Sequence, residues 1–121
     1  GGMTDVSLSL LVLKTHQIDA MCQFYESVGI DLVAEQHGSG PLHFAGRIGS
    51  AVIEIYPLVE GDEADKTIRL GFVVGDLGPV IESLVRRDLS PQKEPKKTEW
   101  GLRIVVKDPD GRSVELYQRG E

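Results

Sequence analysis

Cysteine, aromatic residues and long hydrophobic runs are scarce in this sequence. The single cysteine, Cys22, excludes an internal disulfide, which is typical of proteins from a reducing cytoplasm. No apolar run approaches the roughly 20 residues that a membrane-spanning helix needs, and the N-terminal region has no signal-peptide pattern. We therefore expect a cytoplasmic protein without a membrane partner.

Positive charge is also scarce. The sequence has 13 lysines and arginines against 19 acidic residues, a formal net charge of −6. Proteins that bind nucleic acids neutralise phosphates with basic patches. The one basic cluster, Lys93, Lys96 and Lys97, has no interleaved aromatic residue and is typical of a solvated loop. We therefore expect no nucleic-acid partner.

The length of 121 residues suits one compact domain. We assign it to residues 4–121, because Gly1 and Gly2 before Met3 are typical of an expression-tag remnant. The acidic segment VEGDEADK, at 59–66, has few strand-forming residues and predicts a linker. It divides the domain into modules at about 6–58 and 67–118.

The two modules repeat one pattern. Each ends in a glycine followed by a short alternating strand with the core Glu-apolar-Tyr, at 54–56 and 115–117. Each begins with an apolar strand, at 8–14 and 67–74, followed by a helical periodicity. The first helix ends near Gly29, and the second follows Asp76, a good N-cap. Further strands are predicted at 31–36, 41–47, 91–95 and 101–107, so each module contains a strand, a helix and three strands.

Three segments carry a resemblance to a known family. They are FYESVGIDLV (24–33), the turn DPDG (108–111) and the strand RSVELYQ that follows it, with its glutamate in phase with Glu54. Over about residues 6–118 the chain resembles the vicinal-oxygen-chelate superfamily, which includes glyoxalase I, bleomycin-resistance proteins and extradiol dioxygenases. The resemblance implies an α+β fold. Two tandem βαβββ modules would form an open, cup-shaped, eight-stranded mixed sheet with helices outside and a ligand cleft inside. It also implies a homodimer.

Metal-using members of that superfamily place four ligands in the cleft. The resemblance carries two of these positions onto Glu54 and Glu115, and the other two onto Leu10 and Arg69. Leucine cannot coordinate a metal, and a guanidinium has no lone pair to offer. We therefore predict no metal and no cofactor at this position, with a divalent metal as the alternative.

Strand alternation places Arg69 on the same face as the glutamates. We predict that Arg69 is the partner of Glu115, roughly where relatives hold a metal cation. One hypothesis is a buried ion-pair cluster that only replaces the lost metal site. The other is that Arg69 presents its donors to an anionic or carbonyl-bearing ligand, with Glu115 or Glu54 as a catalytic general base.

Four more residues are candidates for the ligand cleft. His43 alternates with Leu42 and Phe44, which places it either in the cup or at the surface rim. Tyr56 and Tyr117 share the faces of the glutamates. Trp100 either closes over a ligand or covers the sheet edge. Outside this group, His37 falls in a turn-like segment and is predicted to be solvated.

The leading functional hypothesis is a glyoxalase/bleomycin-resistance-type protein that binds a small organic ligand in the cup without the family's catalytic metal. The first alternative is a lyase or isomerase of the glyoxalase kind, either metal-dependent or using Glu115 as an acid or base. The second is an interaction or regulatory domain, because a fold does not fix a function.

Overall fold

The computed structural model describes residues 5–91 and 93–120. The order of elements is the same in both modules. The first comprises β1 (Leu10–Thr15), α1 (Ile18–Val28), β2 (Val33–Glu35), β3 (His43–Ile48) and β4 (Ala51–Pro57). The second comprises β5 (Leu70–Val74), α2 (Leu77–Arg86), β6 (Lys96–Thr98), β7 (Gly101–Lys107) and β8 (Ser113–Arg119). The predicted repeat of a strand, a helix and three strands is confirmed.

The strands form two four-stranded mixed sheets, in the orders β1-β4-β3-β2 and β5-β8-β7-β6. The first strand of each module runs parallel to the last, and the other pairs are antiparallel. The α+β class and the two modules are therefore as predicted, with the eight strands divided between two sheets. In each sheet the first strand of the module, β1 or β5, lies at an edge.

α1 ends and α2 begins where the sequence predicted. Gly29 follows α1 with a φ of 114°, a left-handed conformation that suits glycine, and its N–H donates to the Glu26 carbonyl. The Asp76 side chain accepts the Gly78 N–H at 2.9 Å and caps α2. The helices have 11 and 10 residues. In the part of the chain that the structure describes, no helix is long and apolar enough to cross a membrane.

One hydrophobic core serves both modules. It forms where the apolar stripe of each helix packs on one face of its sheet. Its fully buried members come from both helices and from the inner strands: Met21, Phe24, Tyr25, Leu84, Ile53, Ile55, Val114 and Leu116. Each such side chain contributes about 1.5–3 kcal/mol by leaving water. Among residues 5–91 and 93–120, no helix covers the opposite face of either sheet.

The prediction for β6 was wrong. The strand was expected at 91–95, but it lies at Lys96–Thr98, after Pro95. Proline cannot donate to a strand ladder, so pairing begins only beyond it. Lys96 and Lys97, predicted in a solvated loop, are instead exposed residues of this edge strand. Charges there discourage pairing with another chain. Gln92 lies outside the described residues.

The DPDG turn is built around the first aspartate. Asp108 Oδ1 accepts the backbone N–H groups of Asp110 at 2.9 Å and Arg112 at 3.0 Å. The Gly111 N–H donates to the Asp108 carbonyl, and Gly111 adopts a φ of 93°. The side chain of Asp108 thereby accepts hydrogen bonds from the backbone N–H groups of the turn, as aspartate does in tight turns.

The same turn joins the two modules. Asp108 and Arg112 are 3% and 1% exposed, and Arg112 Nη1 donates to Asp108 Oδ2 and Asp110 Oδ2 at 3.1 Å each. Arg112 Nη2 donates to the Lys14 carbonyl in β1, at 3.2 Å. Tyr25 of α1 donates its hydroxyl to Asp108 Oδ2 at 2.7 Å. This buried network of Tyr25, Asp108, Asp110 and Arg112, here called the turn network, was not predicted from the sequence.

Candidate ligand-binding faces

The two glutamates of the repeat lie on the sheet faces that the helices leave uncovered. Glu54 of β4 lies beside Val12 in the parallel register with β1. Glu115 of β8 lies beside Gly71 in the register with β5. Residues paired across a sheet point to the same side. We call the side with Glu54 the first open face and the side with Glu115 the second open face.

The second open face contains the predicted Arg69–Glu115 pair. Arg69 Nη2 donates to Glu115 Oε1 at 2.7 Å, and the Tyr117 hydroxyl donates to Glu115 Oε2 at 3.0 Å. The Arg69 side chain is 70% exposed, whereas that of Glu115 is 21% exposed. The pair is therefore not the buried cluster of the first hypothesis. The guanidinium is anchored at one end and keeps donors directed to solvent.

Glu54 lies in different surroundings. Among the described residues, no ion pair joins Glu54 to Arg69; the histidine nearest to Glu54 is His43, with 3.7 Å between Glu54 Oε2 and His43 Nε2. The single cluster of Glu54, Arg69 and Glu115 that the sequence predicted is thus divided between two sheets in the single chain. Sequence periodicity predicted on which face of its sheet each residue lies, but it did not predict that the two open faces are separate.

His43 is a buried residue of the first open face. Its side chain is 1% exposed, so of the two predicted alternatives the surface rim was wrong. The ring stacks on Tyr56, with centroids 4.1 Å apart and planes 7° apart, and Nδ1 lies 3.2 Å from the Pro41 carbonyl oxygen. Nε2 has no hydrogen-bond partner among the described residues.

Two residues near His43, namely Glu35 and His37, were not predicted as site residues. Glu35 is the cross-strand partner of His43, and its Oε1 lies 3.4 Å from His43 Nε2. His37 Nε2 lies 3.5 Å from the same oxygen, and its side chain is 74% exposed, as predicted for a solvated residue. Partial desolvation and then the negative charges of Glu54 and Glu35 raise the pKa of the Tyr56 phenol.

Trp100 and Leu10 are exposed. Trp100 is 69% exposed in the turn between β6 and β7, so it does not cover a sheet edge within the chain. Leu10 is 50% exposed at the start of β1. Both are placed as surface residues that a ligand or another chain can contact.

The residues present do not fit the superfamily's metal. Glu54 and Glu115 provide carboxylates, but Leu10 and Arg69 provide no ligand atom. The residues directly beside the glutamates, Val12 and Gly71, cannot coordinate either.

A cavity of about 560 Å³ lies along the edge strand β5, with Gly71 and Val73 among its lining residues. It is lined by β1 and the segment before it, the end of α1, the β3–β4 turn and the edge strand β5, and among the described residues Arg47 is its only charged lining residue. Its size is suitable for a small molecule.

Burial raises the pKa of the core thiol of Cys22 to about 11, with smaller contributions from Glu26 and Asp19. Cys22 is therefore an unreactive core residue.

The fold and the in-phase glutamates together define a protein made of paired βαβββ modules with an open face on each sheet. The chain belongs to the glyoxalase/bleomycin resistance protein/dioxygenase superfamily, whose sequence pattern matches residues 7–116. No curated protein matches the chain in sequence.

Solved structures of several proteins have the same fold. The antibiotic-binding protein TnmS3 from Streptomyces sp. CB03234 is 24% identical, with a TM-score of 0.70 over 98% of this chain and 100% of that chain. A glyoxylase/bleomycin resistance protein/dioxygenase domain from Frankia sp. EAN1pec is 18% identical, with a TM-score of 0.72 over 98% and 100%. The oxidase ChaP-H2 is 17% identical, with a TM-score of 0.74 over 97% and 96%.

Proposed function

We propose that this protein binds a small organic molecule carrying an anionic or carbonyl group, and that it does so without the superfamily's catalytic metal. The observation that carries the proposal is Arg69 on the second open face. Its guanidinium is 70% exposed yet is held at 2.7 Å by Glu115. A fixed cation with free donors is a good partner for a carboxylate or carbonyl oxygen.

The surroundings of Arg69 favour a ligand with an apolar body. Val73 and Val105 are 56% and 44% exposed on the same face, beside Tyr117 and Glu115 in the β8 register. Apolar contact area combined with a few placed polar groups is typical of small-molecule sites. TnmS3, whose fold the chain shares, is an antibiotic-binding protein. That likeness is compatible with ligand capture, but the proposal depends on this chain's own residues.

A catalytic role for Glu115 is the second candidate, and its position on an open face favours it. Against it, both carboxylate oxygens already accept hydrogen bonds, from Arg69 and Tyr117. A general base must be free to accept a proton from the substrate. Binding without turnover is therefore the function that the geometry supports better.

We further propose that the ligand cup is completed by a second copy of the chain. β1 and β5 are sheet edges that carry exposed Leu10, Val12 and Val73. Unpaired apolar edges promote association. A homodimer that places the first open face of one protomer against the second open face of its partner would form the eight-stranded cup. Analytical ultracentrifugation tests this, and Val73→Lys is expected to shift the protein toward a monomer.

The test of ligand binding compares two arginine variants. The panel consists of benzoate, salicylate and phenylpyruvate, titrated calorimetrically into wild type, Arg69→Met and the control Arg86→Met, whose arginine is exposed at the end of α2. We expect binding by at least one probe, at least tenfold weaker in Arg69→Met and unchanged in Arg86→Met. The loss of one charged hydrogen bond, about 1.5–3 kcal/mol, corresponds to such a change.

Two results would contradict the proposal. Equal affinity of wild type and Arg69→Met would exclude the guanidinium as the binding group. Conversion of a probe or of a glutathione hemithioacetal, abolished by Glu115→Gln, would instead support the lyase alternative. The hemithioacetal assay is run with and without added Zn²⁺ so that both forms of that alternative are covered.

A further inference from the structure

A second group of chemically reactive side chains lies at the end of the β2–β3 hairpin. Glu35, His37 and His43 each place one ligand atom within 4.8 Å of the others. Glu35 ends β2, His37 follows in the connecting loop, and His43 begins β3. None of the three occupies the positions to which the superfamily resemblance assigns a metal. We call this group the hairpin cluster.

The buried histidine of this cluster has an unmatched nitrogen. Its Nδ1 lies 3.2 Å from the Pro41 carbonyl oxygen, which can only accept a hydrogen bond. Nδ1 therefore carries a proton, and in the tautomer with its single proton there, Nε2 presents a lone pair. That lone pair faces carboxylate oxygens of Glu35 at 3.4 Å and Glu54 at 3.7 Å. The His43 side chain is 1% exposed, so a lone pair on its Nε2 that faces carboxylate oxygens is unfavourable unless a cation lies between them.

A proton on Nε2 would be the simplest cation, but the spacing does not fit it. Charge-assisted N–H···O bonds are about 2.7–2.9 Å long, well below the 3.4 and 3.7 Å observed. Metal ligands at about 2.0–2.2 Å from a tetrahedral ion lie about 3.4 Å from one another. The distances of Glu35 Oε1 to His43 Nε2 and to His37 Nε2 are 3.4 and 3.5 Å.

We propose that Glu35, His37 and His43 bind a divalent transition-metal ion, with Glu54 within reach as a further carboxylate. Two imidazole nitrogens and a carboxylate suit Zn²⁺, Co²⁺, Ni²⁺ or Fe²⁺ better than Mg²⁺ or Ca²⁺, which prefer oxygen ligands. Three protein ligands leave a coordination position open to water or to an exogenous ligand.

The hairpin cluster is well prepared for this role. His43 is held by stacking on Tyr56 and by the contact of Nδ1 with Pro41, the type of contact that fixes the tautomer of a metal-binding histidine. Glu35 and His43 are direct cross-strand partners, so the hairpin register fixes their separation. Only His37, in the loop and exposed, has to move to close the site.

The experiment titrates chelator-stripped protein with Zn²⁺ by calorimetry and with Co²⁺ by visible absorption. The variants are His37→Ala and Glu35→Gln, which change exposed or half-buried residues and leave His43 in place. The matched control is His16→Ala, because His16 is an exposed histidine outside the cluster, bonded to the Asp62 carbonyl. We expect one Zn²⁺ per chain and Co²⁺ bands of a nitrogen–oxygen site. Loss of a ligand should weaken binding by more than the about 10- to 100-fold typical of outer-shell changes.

Three results would overturn the proposal. They are the absence of one-to-one binding, equal affinity of His37→Ala and His16→Ala, and binding that survives both cluster variants but is lost in Glu115→Ala. The last result would return the metal to the superfamily's position. Arg69 pairs with Glu115 of the other sheet and supplies no metal ligand, so Arg69→Met should leave the Zn²⁺ affinity unchanged. Failure of one proposal therefore does not imply failure of the other.

Discussion

Arg112 and Arg69 each contact a carboxylate of the second module, but their surroundings are opposite. Arg112 is 1% exposed and binds Asp108 at 3.1 Å, whereas the Arg69 side chain is 70% exposed and binds Glu115 at 2.7 Å. The shorter contact, that of Arg69 with Glu115, is expected to contribute less to the free energy of unfolding than that of Arg112 with Asp108. Water screens the exposed pair, and burial makes the other pair costly to disrupt. Burial, more than distance, decides what each pair contributes.

The two pairs also differ in the number of their partners. Arg112 donates to Asp108, Asp110 and the Lys14 carbonyl, so its charge is used within the fold. In the part of the chain that the structure describes, the ion pair of Arg69 is with Glu115 alone. The first arginine joins the modules. The second has donors left for a ligand, which makes it the functional candidate.

Replacing the buried arginine should have the largest effect. In Arg112→Met the carboxylates of Asp108 and Asp110 lose their cation while Asp108 stays buried. We expect the free energy of unfolding to fall by about 3–5 kcal/mol, measured by urea denaturation. The matched control is Arg103→Met, a half-buried arginine of β7. A change below about 1 kcal/mol in Arg112→Met would contradict the proposed role of the turn network.

Removing only the phenol hydroxyl should have an intermediate effect. Tyr25→Phe keeps the ring in the core but removes the donor to Asp108 Oδ2, at 2.7 Å. Loss of a hydrogen bond to a charged group costs about 1.5–3 kcal/mol. Urea denaturation of Tyr25→Phe beside Tyr117→Phe, whose hydroxyl lies on an open face, isolates the buried contribution. Equal losses in the two variants would show that burial is not the deciding factor.

Alkaline pH should weaken the turn network through the same tyrosine. Burial, and then the negative charge of Asp108, raise the pKa of Tyr25 above its usual value of 10.0. The unfolded chain releases this proton above pH 10 and the folded chain keeps it, so stability falls as pH rises. The slope from one such group is about 1.4 kcal/mol per pH unit.

Cys22 adds to the same alkaline loss, because burial raises its pKa from 9.0 to about 11. Its contribution is lost between those two pH values. Unfolding curves from pH 8 to 11 on wild type, Tyr25→Phe and Cys22→Ala separate the two groups. A Tyr25→Phe protein that keeps the full slope above pH 10 would contradict the assignment to Tyr25.

Sequence periodicity correctly predicted the features that the two modules share. It did not predict the contacts that depend on the three-dimensional register of distant segments. The Gly29 helix end, the Asp76 cap and the phase of Glu54 and Glu115 are local, and all were predicted correctly. Arg69 was paired correctly with Glu115 because alternation places both on one side of adjacent parallel strands. These features depend on local sequence and strand alternation alone.

The missed features depend on contacts between distant segments. Arg112 was not singled out, because nothing in DPDGR indicates that the arginine turns inward to Lys14 and Met21 of the other module. Glu35 and His37 were missed because the β2–β3 register, which pairs Glu35 with His43, is not readable from a three-residue strand. The burial of His43 depends on stacking with Tyr56 from another strand. Such contacts require the tertiary fold.

The exposed pair should contribute least to stability, and this prediction distinguishes its two possible roles. Arg69→Met breaks a contact whose arginine is 70% exposed, so we expect the free energy of unfolding to change by less than about 1 kcal/mol. Urea denaturation should give a smaller difference between variant and wild type at 1 M salt than at low salt, because salt screens an exposed ion pair. If Arg69→Met instead cost as much as Arg112→Met, Arg69 would be a structural residue covered by a partner protomer. A small stability change combined with a tenfold loss of probe affinity would mean that the guanidinium is kept for binding.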